Sequence, residues 1–148
     1  FLQDDPCEVY AIGSTVKHPR FTEQGDVETA CATFKFKNGA MGQLHVGRAA
    51  VHGYHIETEI IGTEGSIRVS PVPAKNLAMI YDKTGAVQEC VRNFPERFQE
   101  AYVEEMKEFV DCVMNGKTPG VVVHDGTAAT QICEAAQKAL ETGEIVKI

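Results

Sequence analysis

No apolar run in this 148-residue chain approaches the roughly 20 residues needed to cross a bilayer. The opening FLQDDPCEVY has neither a basic region nor an apolar core, so no secretory leader is expected there. It also opens without Met, as a piece of a longer chain would. Basic residues are few, 14 Lys and Arg against 21 Asp and Glu, and they are dispersed. A net charge of −7 without a basic cluster excludes a nucleic-acid reader and suits an acidic cytoplasmic protein with a small-molecule ligand. The five cysteines form no CxxC or CxH pair, which excludes a structural zinc site; buried thiols in a reducing cytoplasm are expected. No GxGxxG follows a strand, because Gly39, Gly42 and Gly47 lie in and around a hairpin and open no helix. Nor does any spacing supply the nucleophile–base pair or metal cluster of a self-contained enzyme.

What is present is a soluble globular composition, 43% hydrophobic and 24% charged. A chain of this length can bury roughly 70% of its unfolded surface as one domain. Cys7–Ile12 reads as a first strand, followed by a polar segment, Gly13–Gly25. Residues 26–36 alternate, with Ala30, Ala32, Phe34 and Phe36 on one face and Thr29, Cys31, Thr33 and Lys35 on the other. Asn38-Gly39 then predicts a hairpin that pairs Val27–Phe36 with Ala40–Arg48. Further strands are expected over Tyr54–Ile61, Ser66–Val69, Leu77–Tyr81 and Ala86–Val91, with a Pro71-Val-Pro73 linker between the middle two.

The period then changes. Phe98, Tyr102, Met106, Phe109, Val110 and Val113 recur at helical spacing, ended by Gly116. A second helix begins near Asp125 and buries Ala128, Ala129, Ile132, Cys133, Ala136, Ala139 and Leu140, with Gly143 as its stop. Ile145–Ile148 adds a short edge strand. Strands in a run followed by helices in a run predict an α+β domain: an open, mostly antiparallel β-sheet with helices packed on one face. The other face, with small and lightly charged Thr29, Cys31 and Thr33, is an expected oligomer interface.

The stretch GRAAVHGYHIETEIIGTEGSIRV, residues 47–69, gathers Arg48, His52, Tyr54 and His55 at the mouth of one strand. Four hydrogen-bonding side chains there suit a ligand rich in hydroxyl groups. Tyr54 and His55 would face opposite sides of a continuous strand. His52 lies in the loop before it, and the hydroxyl of Tyr102 on the first long helix could reach a substrate cleft. Each has a plainer alternative: a packed strand aromatic for Tyr54, an outward polar face for His55, a solvated loop for His52, core packing for Tyr102. For Arg48 the alternative is a salt bridge to Glu57 or Glu59. His45 and His124 have no partners at metal-ligand spacing and read as structural.

Asp26–Gly42 (DVETACATFKFKNGAMG), Gly53-Tyr54 followed by Glu59-Ile-Ile-Gly62-Thr-Glu-Gly65, the Arg97–Glu105 helix opening and His124-Asp125-Gly126 together resemble the glucose–fructose oxidoreductase/inositol dehydrogenase (Gfo/Idh/MocA) family. The inositol dehydrogenases are the most similar subgroup, and the resemblance runs over essentially the whole chain. It implies the C-terminal domain of that family, of the glyceraldehyde-3-phosphate dehydrogenase-like C-terminal type, as one substrate-binding and oligomerisation domain over residues 1–148. A Rossmann domain binding NAD or NADP would precede it. The family's catalytic Lys belongs to that absent part, and its Asp and His acid–base pair is expected just before Phe1. No catalytic residue is therefore expected in this chain, which alone would be inactive. The implied partners are a polyol or sugar substrate, the chain's own Rossmann domain and further copies in a dimer or tetramer. A non-catalytic assembly or ligand-sensing module on the same fold is the alternative.

One departure stands out. Where many inositol dehydrogenases read Gly-Tyr-Asp-x-Arg, this chain reads Gly53-Tyr54-His55-Ile56-Glu57. An acceptor-only carboxylate becomes an imidazole that donates or accepts, and a cation becomes an anion.

Overall fold

The computed structural model describes residues 4–69 and 72–148. Ser70 and the Pro71 of the expected linker lie outside the described residues. The described chain forms β1 (Pro6–Ser14), α1 (Arg20–Glu23), β2 (Thr29–Phe36), β3 (Met41–Gly47), β4 (Thr58–Ile61), β5 (Ser66–Val69), β6 (Ala74–Asp82), β7 (Gly85–Cys90), α2 (Phe94–Asn115), α3 (Val123–Thr142) and β8 (Val146–Lys147). This is the expected α+β class with antiparallel pairing throughout. The ladders are distributed over three sheets, β3-β2-β1-β8, β4-β5 and β6-β7. Two compact units result: Phe1–Arg48 with Gly120–Ile148, and Ala49–Pro119.

In the first unit the hairpin register follows its turn. Phe36 N–H donates to the Ala40 carbonyl at 2.9 Å, and Gly39 takes φ +91°, a conformation glycine adopts freely. Pairing of Ala32 with Leu44 and of Ala11 with Ala32 places Val9, Ala11, Ala32 and Leu44 on one face. There α3 lies over β1, and Val9, Ala11, Ala135 and Ala139 are all at most 6% exposed. Alanines line this contact because a helix packed closely on a strand leaves no room for longer side chains. The buried stripe is rotated from the expected one: Ala135 is buried, whereas Ala129 and Cys133 are exposed. All five cysteines are free thiols, as expected, but Cys112 alone is buried; Cys7, Cys31 and Cys90 are half-buried and Cys133 is exposed. The opposite face of the sheet is open, with Tyr10, Ile12 and Met41 40%, 57% and 82% exposed.

In the second unit β4 pairs with β5 and β6 with β7, the latter closing on Asp82, whose Oδ1 accepts the Thr84 N–H at 2.7 Å. Helix α2 starts on Asn93, whose side chain accepts the Glu96 N–H at 3.0 Å. It ends on Gly116 in the left-handed region. Its backbone leaves helical geometry once, at Phe98 (φ −118°, ψ 18°). No described helix is long and apolar enough to cross a membrane.

Candidate functional site

The strand expected over Tyr54–Ile61 begins only at Thr58. Gly53 at φ +137° turns the chain, and a Cβ there would stand 2.5 Å from Val72 Cγ1 and 3.0 Å from the Val91 carbonyl oxygen. Only a glycine fits this close approach. Tyr54 N–H then donates to that Val91 carbonyl at 2.9 Å, tying the segment to the end of β7. Residues 54–57 carry no ladder, so the strand argument that Tyr54 and His55 point to opposite faces does not hold.

The irregular backbone brings His52, His55 and Glu57 into one chain of contacts. His52 Nε2 lies 3.0 Å from His55 Nδ1, and the rings meet edge to face at 5.0 Å. His55 Nε2 lies 3.2 Å from Glu57 Oε2. Arg68, on β5, donates through Nε to Glu57 Oε1. The Arg68 hydrogen bond, followed by that of His55, holds the Glu57 carboxyl below the usual carboxylate range, and Glu57 in turn raises Arg68. The ion pair is graded in exposure, 21% for Glu57 and 63% for Arg68.

Of the five side chains singled out from the sequence, the structure therefore joins two directly, His52 and His55. Tyr54 is half-buried, its ring edge-on to Phe98 at 6.3 Å, where α2 departs from helical geometry. Tyr102 stands one turn further along α2 and is 48% exposed rather than packed in a core. Arg48 belongs to the other unit. Its guanidinium stacks over the Phe21 ring at 5.9 Å, and of the two acids expected as its salt-bridge partners, Glu57 and Glu59, Glu57 pairs with Arg68 instead. Glu57 and Arg68 are the functional candidates that sequence reasoning left out. The legible signal was His-x-x-His-x-Glu, but its meaning depends on the backbone not being a strand.

The whole chain, residues 1–148, matches the model of the oxidoreductase family C-terminal alpha/beta domain. It belongs to the Gfo/Idh/MocA oxidoreductase family, as a C-terminal domain. This Gfo/Idh/MocA domain is 33% identical over 141 residues to a myo-inositol 2-dehydrogenase of Thermotoga maritima, covering 95% of this chain and 42% of that protein. It is 33% identical to a scyllo-inositol 2-dehydrogenase (NAD(+)) of Bacillus subtilis over 92% of this chain and 40% of that protein. The structure of scyllo-inositol dehydrogenase from Lactobacillus casei with bound NAD(H) and scyllo-inositol superposes with a TM-score of 0.89 at 38% identity. That superposition covers 97% of this chain and 42% of the other. The Gfo/Idh/MocA domain thus spans about two fifths of the length of these relatives.

Proposed function

We propose that this chain is the substrate-binding and oligomerisation domain of a cytoplasmic NAD(P)-dependent inositol or polyol dehydrogenase. The observation that carries the reading is the likeness, over nearly the full chain, to inositol dehydrogenases. The joined His52 and His55, with Tyr54 between them in the chain, support it, because a polyol offers many hydroxyl groups and needs donors and acceptors in return. Tyr102, 48% exposed on α2, completes the proposed contact set.

The described residues do not fit a dinucleotide by themselves. Helices α2 and α3 open on Asn93 and Val122, and no glycine-rich turn precedes either. NAD or NADP is accordingly assigned mainly to the Rossmann domain that would precede this one, and no step is routed through it here. Bound there, the cofactor would accept a hydride from a ring carbinol, leaving a ketone. This domain would hold the remaining hydroxyls and exclude water. A site that hydrogen-bonds its substrate rejects analogues lacking those groups by large factors. The open face of β1–β3 would carry the contacts between copies.

The test is the complete gene product, followed at 340 nm with a panel of inositols and sugars. Turnover with an inositol is expected. Tyr54→Phe and His52→Ala should each lower kcat/KM by about threefold to tenfold, the worth of one neutral hydrogen bond. Wild-type kinetics in both variants would remove these residues from the site. A folded product that binds no nucleotide would favour the assembly or sensing module.

A further inference from the structure

The contacts from Arg68 to His52 admit a single arrangement of protons when both rings are neutral. Glu57 is an acceptor only, since Arg68 occupies Oε1 and keeps the carboxylate ionised. His55 Nε2, 3.2 Å from Glu57 Oε2, must then carry the proton. A neutral imidazole has one donor and one acceptor, so His55 Nδ1 is bare and accepts from His52 Nε2 at 3.0 Å. That leaves His52 Nδ1 bare at the end of the chain, on an exposed side chain.

We propose that Glu57 and Arg68 are positioning residues that set His52 Nδ1 as the acceptor for a ligand hydroxyl, and that His52 and His55 form a relay taking up one proton. The relay itself stands on the geometry above; the hydroxyl ligand rests on the dehydrogenase reading. When a proton binds His52 Nδ1, an N–H bond forms there. The proton on His52 Nε2 moves to His55 Nδ1, breaking one N–H bond and making another. His55 keeps its Nε2 proton on Glu57, so one positive charge ends on His55 beside the carboxylate, and no electrons change hands. His52 is left neutral with Nδ1 now a donor.

One proton therefore reverses the polarity of the atom offered to the ligand. A second proton would set two N–H groups against each other across the 3.0 Å contact and break it. The relay is not general to the resemblance, because it needs the His55 and Glu57 that replace Asp and Arg of the Gly-Tyr-Asp-x-Arg pattern. The other charges near it are Glu59, which acts on Arg68, and Arg92, whose guanidinium donates to the Val51 carbonyl at 3.4 Å beside His52.

The experiment is a pH titration of this chain carrying 15N-histidine, read by two-bond 1H–15N correlation, without ligand. The expected result is both rings in the Nε2–H form at high pH, moving together in one shared step as the pH falls. During that step His52 should pass into the Nδ1–H form. Glu57→Gln should uncouple the rings into two independent curves, while Arg68→Lys, which keeps a cation on Glu57, should preserve the shared step. A merely structural Glu57 would leave the coupling unchanged in E57Q. Independent curves in the unmodified chain, or a His52 that never shows the Nδ1–H form, would overturn the relay. Failure of the dehydrogenase reading shows instead as absent turnover at 340 nm, so the two failures are distinguishable.

Discussion

Glu28 shows how a single side chain can hold a loop. It is 5% exposed at the start of β2, and its Oε2 accepts the N–H groups of Val16, Lys17 and His18 at 3.2, 2.8 and 3.2 Å. Its Oε1 lies 2.9 Å from His18 Nδ1. The Lys17 N–H is the main cause that lowers its pKa from 4.5 to about 2, with burial opposing. A depressed carboxylate stabilises the fold fully above its unfolded value. Its contribution begins to fall below pH 4.5 and is gone near pH 2. Glu28→Gln should therefore lower stability at neutral pH and flatten the decline between pH 4.5 and 2, read by urea denaturation at a series of pH values. Curves that stay parallel would remove Glu28 as the cause. Nothing in the sequence marked this residue, since an acidic side chain at a strand opening is ordinarily solvated. Glu57 is marked in the sequence as a reversal of charge, but its pairing with Arg68, eleven positions away, is set by the β4–β5 pairing and not by its neighbours in the chain.

At the scale of elements, local chemistry was readable where one short motif decides the outcome. Asn38-Gly39 closed its hairpin, Gly116 and Gly143 ended their helices at positive φ, and β5 fell on Ser66–Val69 as expected. The start of α2 is equally legible in Asn93-Phe-Pro-Glu96, an N-cap with an acid three residues on, which begins the helix ahead of the expected Arg97 opening. Asn93 accepts from Glu96 N–H, and Glu96 reaches back to the Arg92 N–H at 3.2 Å. Asn93→Ala should destabilise by about 1 kcal/mol, measured by denaturant melting. A change below a few tenths would mean the helix start is held by other contacts. The onset of α3 moved for a similar reason: Asp125 caps from inside, accepting the Val122 N–H at 2.8 Å, so the helix begins ahead of it. The strand over Tyr54–Glu57 failed because alternation cannot see the turn at Gly53, which is set by Val72 and Val91 from elsewhere in the unit.

For the whole molecule, the proposed assembly rests on the sheet face that α3 does not cover. Tyr10, Ile12 and Met41 stand out from it among small residues such as Cys31 and Thr33. Ile12→Glu would place a charge, costly to desolvate, in the middle of any contact there. In the complete protein it should shift sedimentation velocity toward smaller species while far-UV circular dichroism stays unchanged. Unaltered sedimentation of an oligomeric protein would move the interface to another surface.

The sequence by itself determined the α+β class, the hairpin, the helix stops and the family, because periodicity, Asn-Gly turns and left-handed glycines act over a few residues. Tertiary structure alone decided which strands share a sheet, which alanines are buried and how His52, His55, Glu57 and Arg68 meet. Those outcomes depend on contacts between residues distant in the chain, where packing and the satisfaction of buried polar groups outweigh local pattern.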